Sequence, residues 1–143
     1  GKIWILPRGG VAGIMKFLRL LVIGLLAVFF AVAGVMHFVH VDTFAAIVPP
    51  LLPFPRVIVW VTGVMEISMA ILLLCPHLRP RVGIVLSLFL LAVLPANIYM
   101  AMAGIPFGDS VSSPTALWGR VALQFPLIAL VLWACGSVRK PAA

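Results

Sequence analysis

Four long apolar runs alternate with short segments rich in proline, glycine and charge. That pattern predicts helices at about residues 17–39, 57–75, 82–103 and 117–135. Each run is close to the roughly 20 residues a helix needs to cross the hydrocarbon core of a bilayer. The first connection, residues 40–56 (HVDTFAAIVPPLLPFPR), holds Pro49, Pro50, Pro53 and Pro55, which exclude a continuous helix. It is also strongly apolar, so it should pack against the bundle or lie in the interface rather than in water. The second link, PHLRPR, is short enough to make spans two and three an antiparallel hairpin. Pro95 inside the third span should kink it and free a carbonyl one turn earlier, with Asn97 just beyond. Residues 104–116 (GIPFGDSVSSPTA) read as a polar, turn-rich loop.

The two ends differ from this pattern. Residues 1–14 hold Pro7 and the Gly9-Gly10 pair and read as an irregular extension of little functional content, upstream of a domain at 15–136. Met15-Lys16 then resembles a translation start. The basic run and Ala31-Val32-Ala33 also fit a signal peptide, but the apolar run continues past that site, which favours an uncleaved first helix. Residues 137–143 form a basic tail.

Composition agrees with the pattern. The chain of 143 residues is 64% hydrophobic and 9% charged, against about half and a quarter in soluble domains. The fold class expected is all-α: a polytopic membrane protein, a four-transmembrane-helix bundle. The net charge of +7 does not point to nucleic acid, because the cations sit at span ends. Lys2, Arg8, Lys16, Arg19, Arg79, Arg81, Arg139 and Lys140 fall on one side, while the first and third connections offer only Arg56 and Arg120. The positive-inside rule then predicts both termini in the cytoplasm.

Polar residues inside the spans are the candidate chemistry. Glu66 lies ten residues inward from Arg56, about 15 Å deep at 1.5 Å per residue. A carboxylate there costs roughly 2.5 kcal/mol or more unless protonated, paired or wetted. His37, Asn97, Arg120 and Gln124 fall in the same outer half, on the three other spans. Thr62 and Glu66, Arg120 and Gln124, and Gly34 and His37 share faces at helical spacing, with Gly63 and Ala70 flanking Glu66. Together they predict a small outer-half pocket covered by the proline-rich connection. Plainer readings stand beside this. Glu66 could pair with Arg120 or His37 as a lock, His37 could snorkel, Arg120 could anchor at the interface, and Asn97 could satisfy the carbonyl freed by Pro95. Trp4, Trp60, Trp118 and Trp133 lie near span ends as belt residues do.

Other chemistries find little support. Cys75 and Cys135 form no CxxC motif and read as small buried thiols. Asp42, Glu66 and Asp109 are the only acids, so paired carboxylates are absent, as are phosphate-loop, nucleophile-elbow and HExxH patterns. His40 and Asp42 make only a weak metal pair, and His37, His40 and His77 are poorly placed for haem. No metal, no evident cofactor and no stand-alone enzyme activity are expected.

The segments GVMHF (34–38), VDTFAAIVPPLLPFP (41–55), VTGVMEISMAILLL (61–74), LPANIYMAM (94–102) and WGRVALQFPLIALVLW (118–133) resemble the DoxX/DoxX-like family of small bacterial membrane proteins. The resemblance covers nearly all of residues 15–136. Its matched positions are His37, Pro49, Pro50, Glu66, Asn97, Arg120 and Gln124. It implies a four-helix bundle in the bacterial inner membrane, and relatives linked to quinone-dependent sulfur oxidation or thiol stress imply a quinone or lipid as ligand. In that reading Arg120, Gln124 and Asn97 orient the ligand's polar end, Glu66 is the proton-linked or pairing carboxylate, and His37 relays protons. A redox partner would supply electrons. The alternative is a non-catalytic accessory or assembly subunit of a larger membrane complex, its polar cluster a structural lock. A transporter is weaker, since no internal repeat is visible.

Overall fold

The computed structural model describes residues 8–107 and 113–138. They form five helices: α1 (Arg8–Val39), the short α2 (Val41–Ala45), α3 (Pro55–Leu72), α4 (Arg79–Ala103) and α5 (Pro114–Ala134). Four of them, all but α2, are long and apolar enough to cross a membrane. The described residues contain no strand.

Local chemistry sets most of the helix ends. Ser113 caps α5, its hydroxyl accepting from Ala116 N–H at 3.2 Å with Pro114 following it. Gly104, at φ 66°, closes α4 in the left-handed conformation. Before α3 the same conformation falls on Phe54 (φ 55°, ψ 59°), which a side chain adopts only at a cost of order 1 kcal/mol. Helix α3 stops at Leu72, short of the expected Cys75. Pro76 clashes with the turn before it, and the chain tightens into three-residue bonds, Leu74 N–H to Ile71 and Cys75 N–H to Leu72. The Arg79 Nε then donates to Leu73 O at 2.7 Å, covering a carbonyl left free by the helix end.

The N-terminal expectation needs correcting. Residues 8–14, read as irregular because of their glycines, are the first turns of α1. Glycine weakens a helix by about 1 kcal/mol in water, but a long apolar helix that must satisfy its own backbone carries such residues along. Residues 1–7 and the tail from 139 onward lie outside the described residues.

The helices pack as two close pairs, α1 with α3 and α4 with α5. The crossing of α1 and α3 is made by Gly34 and Gly63. A Cβ on Gly34 would sit 2.9 Å from Gly63 O, and one on Gly63 would sit 2.8 Å from His37 Cβ. Only hydrogen atoms fit where the two backbones meet. Two buried clusters result. The larger, around Phe30, Leu73, Leu86 and Val131, lies toward the α3–α4 link. The smaller, around Ile47, Met100 and Leu117, lies toward α2.

The first connection behaves in two ways. Its first half turns inward through α2 and buries Ile47 at 7% exposure. Its second half does not, since Leu51 is 95% exposed and Phe54 74%. Asp42 and Arg56 tie its two ends through a 2.9 Å exposed ion pair. Asp42 is therefore engaged by a cation, and no group of three or more metal-ligating side chains is found among the described residues.

Candidate functional site

The two buried clusters leave a cavity of about 480 Å3 between them, and all five sequence-predicted residues line it. Helix α1 contributes His37, α3 Glu66, α4 Asn97, and α5 both Arg120 and Gln124. Phe44, Ile47 and Val48 close it on the α2 side, so the inward half of the connection forms the cover and its prolines do not.

Two of the five satisfy each other. The Asn97 amide donates to Gln124 Oε1 at 2.8 Å, and Gln124 Nε2 donates to Leu90 O at 2.7 Å. Gln124 is buried at 6% exposure. The expectation that Asn97 would satisfy the carbonyl freed by Pro95 is thus replaced. A side chain of α5 reaches into the turn before Pro95 and takes the Leu90 carbonyl. The acceptor that Pro95 itself deprives of a donor is Leu91, one residue on.

The other three are arranged differently. His37 Nδ1 lies 2.7 Å from Ala33 O. A carbonyl only accepts, so Nδ1 carries a hydrogen and spends it there. The same nitrogen is 3.3 Å from Glu66 Oε2, but its hydrogen is spent on Ala33 O and no second well-formed hydrogen bond results. Glu66 Oε2 is accordingly buried without a hydrogen-bond partner among the described residues, as is Arg120 Nε. Arg120 does not meet Glu66 as an ion pair. Its guanidinium lies 4.0 Å from the centre of the Phe107 ring, a cation–π contact. Phe107 meets Phe44 edge-on at 5.0 Å, and Phe44 stacks on His37 at 4.0 Å. One continuous line, Arg120–Phe107–Phe44–His37–Glu66, runs round the site. Thr62, on the Glu66 face, lines the cavity and its hydroxyl bonds back to Ile58 O and Val59 O.

Phe44 and Phe107 are the site residues that sequence reasoning missed. Phe44 sits in an apolar stretch where nothing distinguishes it. Phe107 was the lone aromatic of a loop read as polar, which was the available signal.

The cavity wall is open on one flank. Of the side chains lining it, those more than a third exposed are Phe29 (54%) and Met36 (37%) on α1 and Leu123 (69%) on α5. The exposed part of the lining is therefore carried by α1 and α5.

Fold and site define a four-helix bundle, built for a membrane by length and apolarity, with a partly polar cavity between its two helix pairs. The chain belongs to the family described as domain of unknown function DUF8561, whose model matches residues 26–135. That stretch contains every polar residue of the cavity. No curated protein and no solved structure matches the chain.

Proposed function

We propose that the protein is a multi-pass protein of the bacterial inner membrane, DoxX-like in organisation, with both termini cytoplasmic. In this reading the cavity holds the polar head of a bilayer-soluble amphiphile, a quinone or a lipid. The observation that carries it is the pair of buried polar atoms, Glu66 Oε2 and Arg120 Nε, without hydrogen-bond partners among the described residues and on the wall of one cavity. Unsatisfied buried groups each cost on the order of 1–3 kcal/mol, and a carbonyl that accepts from Arg120 N–H and from the Glu66 carboxyl in its protonated form removes both costs. A quinone carbonyl or a lipid ester carbonyl is an acceptor suited to the guanidinium. The flank between Phe29 and Leu123 suits entry from the bilayer rather than from water.

Within this reading Arg120 orients the ligand, and Glu66 with His37 forms the proton-bearing side of the site. Asn97 and Gln124 hold α4 to α5 behind it. The described residues include no redox-active group of their own beyond two free cysteines, Cys75 and Cys135, neither of which lines the cavity. Electron transfer, where it occurs, would fall to a partner.

A second reading has its own observation. Asn97, Gln124 and Leu90 O form an internal network of two hydrogen bonds, as expected of a structural lock in an accessory or assembly subunit. Native mass spectrometry with lipid extraction separates the two. A small amphiphile retained by the parent and lost in Glu66→Gln and Arg120→Ala supports the binding site. A co-purifying protein with no such ligand supports the accessory subunit.

A further inference from the structure

At the opposite end of the bundle lies a second cavity, of about 560 Å3, between α1, the α3–α4 link with the start of α4, and the end of α5. Lys16, Arg19 and Arg79 line it, and no lining residue is acidic. Arg19 Nε is buried without a hydrogen-bond partner among the described residues, although its guanidinium lies 5.1 Å from the centre of the Trp133 ring. Arg79 is fixed by its bond to Leu73 O, so its charge is held in place at the cavity wall. Three cations gathered without a counter-charge repel one another, and a bound anion relieves that repulsion. The apolar side of the cavity continues directly onto the outer surface of α1 through Met15 (41% exposed) and Leu20 (48% exposed).

We propose that this cavity binds the headgroup of an anionic phospholipid, its phosphate among Lys16, Arg19 and Arg79 and its acyl chains along the exposed apolar surface of α1 that begins at Leu20. The continuity of cation cluster and apolar helix face is what selects a lipid over a free anion. A soluble phosphate would use the charges and leave the flanking surface idle. Basic pockets between membrane helices are suited to such headgroups, each cation contributing about 1 kcal/mol, or roughly five-fold in affinity. The proposal rests on membrane placement of the bundle but not on any ligand in the cavity around Glu66.

The test is native mass spectrometry of the full chain released from nanodiscs of equal phosphatidylglycerol and phosphatidylcholine. The parent should retain phosphatidylglycerol in preference to phosphatidylcholine. The double variant Lys16→Gln/Arg19→Gln should lose that preference, with affinity falling about 25-fold on the same scale of about five-fold per cation. Arg19→Lys, which keeps the charge, should retain most of it and so separates loss of the anion from loss of the fold. Arg56→Gln, the loss of one cation at the other end, should leave retention unchanged. Equal retention of the two lipids would overturn the proposal, as would an Arg56→Gln effect as large as that of the double variant. Thermal stabilisation by inorganic phosphate equal to that by phosphatidylglycerol would also overturn it, by assigning the cavity to a free anion.

Discussion

Replacing Gln124 by leucine removes the link between α4 and α5 while keeping nearly the same volume. Two hydrogen bonds disappear, from Asn97 at 2.8 Å and to Leu90 O at 2.7 Å. Side-chain hydrogen bonds between membrane helices are worth about 0.6 kcal/mol each, up to roughly 1.7. The Asn97 amide and the Leu90 carbonyl would also be left without their partner, which adds to the loss. The expected destabilisation of Gln124→Leu is therefore about 1–3 kcal/mol. Asn97→Leu breaks only the first bond and should cost less. Reversible unfolding in mixed detergent and dodecyl sulfate micelles, run on both single variants and the double, gives the coupling energy directly. A coupling of about 0.6–1.7 kcal/mol is expected. A coupling near zero, or a Gln124→Leu variant as stable as the parent, would refute the claim that this network holds the back wall of the cavity.

Other expectations follow from the same geometry. Gly34→Ala should lower stability by about 1–3 kcal/mol in the same unfolding assay, because its Cβ meets Ile67 Cγ1 at 2.6 Å and Gly63 O at 2.9 Å and the two backbones must part. Gly24→Ala, with nothing within 4 Å of its new Cβ, should leave stability unchanged or raise it by up to about 1 kcal/mol; a loss equal to that of Gly34→Ala would show that glycine content rather than close approach decides. Leu123→Trp, on the open flank, should lower occupancy of a bound amphiphile after a fixed exposure to lipid, with no loss of thermal stability. Unchanged uptake would place the entry elsewhere.

The spans and the polar cluster were legible because an apolar background makes single polar residues conspicuous. Glu66 is the one charge in the run VTGVMEISMAILLL, and a helix of known rise fixes its depth. Partners were less legible. Gln124 was visible, but its acceptor is the Leu90 carbonyl, and backbone acceptors carry no residue identity. Arg120 was weighed against Glu66 as a charge pair, whereas the structure turns it onto Phe107. That contact depends on where the α4–α5 loop returns, which no spacing within a helix encodes. The start of α1 was misread for the opposite reason. Gly9 and Gly10 read as breakers of regular structure, and the structure carries α1 through them. Helix α3 begins at Pro55, two residues before the expected Val57, because a proline in the first turn gives up an N–H that has no intrahelical partner there.

The most direct test of the central claim is whether detergent-purified protein carries a small amphiphile that depends on Glu66 and Arg120. Native mass spectrometry with lipid extraction should find one quinone or lipid per chain in the parent. Glu66→Gln and Arg120→Ala should both lose it while keeping their thermal transitions. An amphiphile retained equally by both variants would contradict the account, as would a folded parent that carries none.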